Sequence, residues 1–406
     1  RYNTSLILLT DGMVDIDKEP EKNQREWRRI VDEVLPKLER AGYTIHTIAL
    51  SDNTDKALLD KLALATDGMS EVAKSADELM NIFLRVFDQA VPAEQVPLIG
   101  NSFLVDSSIE EFTALIFRVT DSEPTILVSP DETQYHFDKE QEDVSWYKTD
   151  AYDLITVKRP IEGEWQALAD LDPGSRVTIV SNLKLLVKPL PTNVFWGDTL
   201  ELSMLLQDKG ATVTKADFLT LLDVNNLVAH SASDEEWSQD LSSGLTPLDG
   251  VYRSTLDMFN HEGRFELTLA VDGKTFQRQY RHQISVRKPF VADVEKLVLG
   301  GREQYRVTVK AHSQVVDMGE TQVVARVRDP KGRSSIKPLQ ATPNDTWELI
   351  LQPEHEGVYS VRLRISGTDS TGSRFDIDPD PLSFKYPDNS PFDMAAPETV
   401  VEEPEP

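Results

Sequence analysis

Cysteine is absent from the 406 residues. That excludes disulfides, zinc–thiolate centres and cysteine nucleophiles. Long apolar runs are missing too: none approaches the roughly 18 residues a membrane helix needs. The longest candidate, from Leu6 to Leu9, is only strand-sized. Positive charge is scarce, with 42 Lys and Arg against 69 Asp and Glu, a net charge of −27. Such a charge balance argues against a basic surface that neutralises phosphates, so no nucleic-acid partner is expected. Its acidity suits solubility, and cations or basic proteins as ligands. The chain has neither an initiator Met nor a signal peptide. It opens Arg1-Tyr2-Asn3 and runs at once into a buried-looking strand. The tail, 388–406, is acidic and Pro-rich and reads as disordered linker. Both ends are therefore expected to be cuts through a longer polypeptide, leaving room for a targeting signal upstream and an anchor beyond Pro406.

Catalytic motifs are also missing. There is no Gly-x-Ser-x-Gly elbow and no Walker loop. His261-Glu262 and His355-Glu356 begin a His-Glu-x-x-His pattern, but Phe265 and Tyr359 stand where the second His belongs. The seven His residues (46, 136, 230, 261, 282, 312 and 355) are scattered, with no cluster visible in the sequence. Two acidic stretches are candidates for cation binding. Asp376, Asp378 and Asp380 alternate, so on a strand they point the same way and are able to offer oxygens to Ca²⁺; a solvated edge strand protected by charge and Pro is the simpler explanation. Asp15, Asp17, Glu19 and Glu21 flank the first strand's exit and read either as a cation site or as a mobile acidic loop. A non-enzymatic protein is expected.

The first ninety residues carry an α/β pattern. Ser5–Thr10 is a continuous apolar run stopped by Asp11-Gly12, the mark of a strand buried on both faces of a parallel sheet. A helix follows, with Trp27, Ile30, Val31, Val34, Leu35 and Leu38 at three- and four-residue steps. Pro36 should kink or break it and Gly42 should end it. Strands at 43–50 and 70–74 and helices at 57–65 and 77–90 complete the alternation, which implies right-handed crossovers.

These residues carry a family resemblance. Leu8-Leu9-Thr10-Asp11-Gly12 resembles the Thr-Asp-Gly strand end of von Willebrand factor A domains. Ala41–Leu50, Leu59–Ala63, Ala65–Gly68 and Ser75–Leu79 resemble that family's second half in order and spacing. The resemblance implies that 1–91 is a partial, doubly wound α/β domain, with the family's last three strands. It also implies a metal-ion-dependent adhesion site using an Asp-x-Ser-x-Ser loop, a Thr from a second loop and the Asp of Thr-Asp-Gly, a hard-oxygen set suited to Mg²⁺. Only Asp11 falls on that motif here, so Mg²⁺ is expected only together with the family's upstream half. Asp106-Ser107-Ser108, the nearest formal analogue of the missing loop, lies in another domain. Asp11 reads equally as a strand-end cap. The family's sheet order leaves the first strand with an apolar, unpaired edge.

After Val91-Pro92 the period changes to short alternating strands separated by turn residues. An internal repeat appears: Glu162-Gly163-Glu164-Trp165, Glu262-Gly263-Arg264-Phe265 and Glu356-Gly357-Val358-Tyr359. Lys188-Pro189, Lys288-Pro289 and Tyr386-Pro387 repeat near the unit ends. Hairpin turns are expected at 129–132, 223–226 and 329–332. A period of roughly 100 residues is that of immunoglobulin-like sandwiches. Units are expected at 92–189, the least regular and connector-like, 190–289 and 290–387. In architecture the chain resembles hemicentin, calcium-activated chloride channel regulators and a group of bacterial envelope proteins. The resulting expectation is a cell-envelope, periplasmic or extracellular scaffold that binds a protein partner. The alternatives are the regulatory region of a larger hydrolase, or a purely structural stalk.

Overall fold

The computed structural model describes residues 4–51, 53–119, 122–139, 142–172, 174–299, 302–311, 316, 319–342, 346–368 and 374–387. The expected tail at 388–406 and His312 lie outside them. The chain divides into two compact units, Arg1–Arg287 and Lys288–Pro406.

The first unit begins with β1 (Thr4–Thr10), followed by α1 (Pro20–Arg29) and α2 (Leu35–Ala41), then β2 (Tyr43–Ala49), α3 (Lys56–Ala65), β3 (Ser70–Val72) and α4 (Ala76–Ala90). The strands form a three-stranded parallel sheet in the order β1-β2-β3. One face packs Ile45 against Val31, Leu35, Leu58 and Leu62 of the helices. The other packs Ile48 against Ile82 and Val86 of α4. The caps are local. Asp55 accepts the Leu58 N–H at 3.0 Å and Ser75 accepts the Glu78 N–H at 3.1 Å. The helix before β2 starts at Pro20, inside the stretch expected to be loop, because Pro fits the first helical turn and Glu21 complements its dipole. Pro36 does not end it. A π-turn at Ile30–Val34 absorbs the proline: the Leu35 N–H reaches back to the Ile30 carbonyl, and the chain resumes an α-helix with Pro36 in its first turn. Gly42 caps it in the left-handed region, φ +77°.

The stretch 92–189 folds into strands around Phe103, Phe112, Ile116, Leu127, Ile155 and Trp165. Residues 103–109, expected to be part of a connector, supply an edge strand, Ser102–Val105, and a tight turn into Ile109–Phe117. The next stretch has its own core around Leu202, Met204, Phe259, Phe265 and Leu267. The two sandwiches share one ten-stranded sheet. The two-residue strand Gln95–Val96 joins them, with Gln95 opposite Gln279 on one side and Val96 opposite Val177 on the other.

A buried ion pair reinforces that junction. Arg278, fully buried, donates to Asp106 at 2.7 Å, to Ser108 at 2.8 Å, to Ser181 at 2.9 Å and to the Leu183 carbonyl at 2.9 Å. The α/β part is bound to the same frame. Asp67 accepts the Thr192 and Asn193 N–H groups at 3.0 and 2.9 Å, Gln89 donates to Thr192 at 3.0 Å, and Asp88 pairs with Arg176 at 3.0 Å. Glu71 pairs with Arg264.

The second unit is a two-sheet sandwich. Phe290–Leu299, Arg302–Ala311, Thr346–Leu351 and Gln340–Thr342 form one sheet, and the other is centred on Gly357–Thr368. Val307, Val309, Ala325, Val361 and Ile365 are buried between them.

Candidate functional site

The Glu-Gly-x-aromatic repeat becomes a corner in each sandwich. The Gly opens a strand and the aromatic, Trp165, Phe265 or Tyr359, is buried beneath it. The three glycines lie at φ +136°, +153° and +135°, where side chains are strained. In the first and third sandwiches a Cβ on the Gly would sit 2.7 Å from a proline ring, Pro130 under Gly163 and Pro330 under Gly357. Those prolines belong to the hairpin turns expected at 129–132 and 329–332, closed by Glu132 N–H to Ser129 and Gly332 N–H to Asp329, both 2.9 Å. The turn expected at 223–226 is instead strand, within Asp223–His230. Alternation there (Val224 and Asn226 buried) keeps it extended, and the real turn follows at 230–235, closed by the His230 N–H to Glu235 carbonyl bond of 2.9 Å. His230 occupies the place of the proline: the Cβ of a residue at 263 would lie 2.2 Å from its Nε2.

This turn assembles a cluster invisible in the sequence. One ring nitrogen each of His230 and His261 and a carboxylate oxygen of Glu235 lie within 4.8 Å of one another. His261 Nε2 is 3.0 Å from Glu235 Oε2, and the two imidazoles meet edge to face with centroids 4.9 Å apart. His230 Nδ1 meets Ser233 Oγ at 2.8 Å, while its Nε2 is buried with no hydrogen-bond partner among the described residues. Phe265 floors the cluster, its ring centroid 4.8 Å from His230 and 5.4 Å from His261. His355, the counterpart of His261 in the third sandwich, meets Arg333 Nη2 at 2.5 Å instead of a carboxylate. Ile161 holds that position in the first.

The residues singled out in the sequence fall elsewhere. Asp11 is exposed at the end of β1, where its carbonyl accepts the Ser51 hydroxyl at 3.3 Å. It belongs to no group of three His, Asp or Glu side chains able to share an ion among the described residues. The residues present therefore do not by themselves fit an adhesion-site Mg²⁺. The acidic loop at 15–21 is ordered around Asn23, which accepts the Ile16 and Asp17 N–H groups at 2.9 and 3.0 Å and donates to Asp15 at 3.2 Å. Lys22 supplies the cation, 3.0 Å from Asp17 and 3.2 Å from Glu19. Asp376 is paired with Arg364, and Asp380 lies 3.2 Å from Lys288. Asp106-Ser107-Ser108 is tied into the Arg278 network. There, burial raises the Asp106 carboxyl, but the Arg278 and Ser108 hydrogen bonds outweigh it and hold the group below its ordinary value.

A second feature is the edge of the parallel sheet. Among the described residues β1 pairs only with β2. Leu6 and Leu8 share the face of Ile45, and Leu9 shares that of Ile48. All three are about two-fifths exposed, at 41%, 39% and 40%. A strand apolar on both faces belongs to the interior of a sheet, and this one lies at an edge.

No protein-family model matches the sequence, and no curated protein matches it. Solved structures do resemble it. A DUF4785 family protein from Legionella pneumophila is 14% identical, with 69% of this chain and 85% of that chain covered and a TM-score of 0.34. A von Willebrand factor type A protein from Catenulispora acidiphila is 14% identical, covering 52% and 39% at a TM-score of 0.16. The FN1–FN3 domains of chicken CNTN1 are 11% identical, covering 70% and 97% at 0.18. Likeness at this level assigns the chain neither a family nor a function.

In the described residues no helix is long and apolar enough to cross a membrane.

Proposed function

We propose that the chain is a non-enzymatic binding scaffold of the cell envelope or extracellular space, which binds a protein partner through its α/β part and presents that part on the sandwich frame. The observation that carries this reading is the fixed mounting of the α/β part on the sandwiches, through Asp67 to the Thr192 N–H, Asp88 to Arg176 and Gln89 to Thr192. Such a mounting suits this role, because a fixed surface loses little freedom on binding. The von Willebrand-like reading of 1–91 belongs to the same proposal, with Asp11 contributing to a Mg²⁺ site only where an Asp-x-Ser-x-Ser loop is supplied beside it.

Photo-crosslinking in the native host tests it. A benzophenone side chain is placed at Leu8 in one variant and at Leu245, which is fully exposed in a sandwich loop, in the other. The expected result is one discrete adduct with a second protein from position 8 and none from position 245. Equal or absent adducts would overturn the reading. An adduct with the same polypeptide would assign the edge to the chain's own fold and remove the partner.

A further inference from the structure

We infer that the corner of the second sandwich is a divalent transition-metal site, with His230, His261 and Glu235 as ligands and Zn²⁺ as the fitting ion. This site is separate from Asp11 and from the β1 edge, and it stands whether or not a partner docks there.

The argument starts from the repeat. Three sandwiches build the same corner, and in two of them a proline ring fills the space under the glycine. Only the second places an imidazole there, and only there does the turn aim a carboxylate at the corner His; the third presents Arg333, whose charge repels a cation. Two imidazoles and a carboxylate are a donor set that suits zinc, leaving a fourth position for water.

Two of the three donors already stand at ligand spacing, and a ring nitrogen of His230, within 4.8 Å of them, has to close the remaining gap. Two ligands on a tetrahedral zinc with bonds of about 2.0–2.1 Å stand roughly 3.3 Å apart, and His261 Nε2 is 3.0 Å from Glu235 Oε2. Ser233 already engages His230 Nδ1 at 2.8 Å. That leaves Nε2 as the coordinating atom, with the other nitrogen oriented by a hydrogen bond, as is usual for metal-bound His. The same Nε2 is buried and lacks a hydrogen-bond partner among the described residues, a cost that an ion would remove. The ligands also sit on a stiff frame. His230 ends a strand opposite Phe265, and the Ser231 N–H bonds to the Arg264 carbonyl at 2.8 Å. Lacking cysteine, the chain has no thiolate to compete for the ion.

The test is titration of the full chain with Zn²⁺ by calorimetry, and with Co²⁺ followed by its visible absorption. Wild type should bind one Zn²⁺ tightly enough to survive gel filtration, and Co²⁺ should show the intense bands of four-coordination. H261N should abolish this binding, and E235Q, which touches only an exposed side chain, should weaken it by about 10- to 100-fold. H355N, at the equivalent corner of the third sandwich, should bind as wild type does. Apo-protein circular dichroism and melting temperature should match across the variants, which separates lost ligation from misfolding. Unchanged binding in both H261N and E235Q would overturn the assignment, as would a set of weak sites spread over the acidic surface.

Discussion

His46 lies on β2 on the α4 face of the sheet, only 1% exposed, with its Nδ1 accepting the Met69 N–H at 3.1 Å. Burial pushes its imidazole down from the ordinary 6.5 to about 4. The unfolded chain takes up a proton near 6.5 and the folded chain does not until about 4. The stabilisation is therefore full above 6.5 and is lost as pH falls through that window, by about 3 kcal/mol. His282, which burial also pushes down, contributes with the same sign. The urea midpoint should fall steeply between pH 7 and pH 4.5, and H46N should flatten the slope; an equal slope in H46N would reject the assignment. At Asp106 the sign differs in range. Its depressed carboxyl contributes stability at neutral pH that is lost only below the ordinary carboxylate value. D106N strands the buried Arg278 charge and should cost about 3–5 kcal/mol, and adding R278M should recover part of that loss, measured as a double-mutant cycle in urea. Neither role was legible in the sequence. His46 looked like one of seven scattered histidines, and Asp106-Ser107-Ser108 looked like a misplaced metal loop, because the Arg that claims it lies in another sandwich.

At the scale of elements, the corner glycines make a sharp prediction. G163A and G357A each drive a Cβ to 2.7 Å from a proline ring at a φ near +135°. Each should cost about 1–3 kcal/mol from backbone strain alone. G12A, with nothing within 4 Å of its added Cβ, should leave stability within about 0.5 kcal/mol. Thermal melts of the three variants decide it. The sequence revealed the elements whose signals are local. The three- and four-residue steps of the helices and the glycine of each corner read directly; the apolar run marked β1 as a strand, but not one buried on both faces, since none of its residues is buried. It hid what depends on partners distant in the chain. Gln95–Val96 is too short to carry a period, yet it joins two sheets. The π-turn before Pro36 is a backbone compromise that no side-chain pattern marks. The His230–Glu235–His261 cluster was lost with the misplaced second turn. One signal was available: Pro130 precedes Gly163 by the same spacing as His230 precedes Gly263, and that spacing locates the turn.

At the scale of the whole molecule, 1–287 is a frame rather than a string of beads. The α/β part is fixed through Asp67, Glu71, Asp88 and Gln89, and the two sandwiches are fused through Gln95–Val96 and Arg278. The role proposed for the α/β part depends on that rigidity, since a docking surface on a loose tether would lose freedom on binding. The third sandwich has a core of its own and should fold as the isolated segment 288–387. The most direct measurement of the frame is calorimetric unfolding of the full chain beside D106N. The expected result is two transitions, one spanning 1–287 and one matching the isolated 288–387 segment, with D106N lowering only the first. Separate melting of 4–90, 92–189 and 190–287, or a D106N effect confined to one of those stretches, would contradict it.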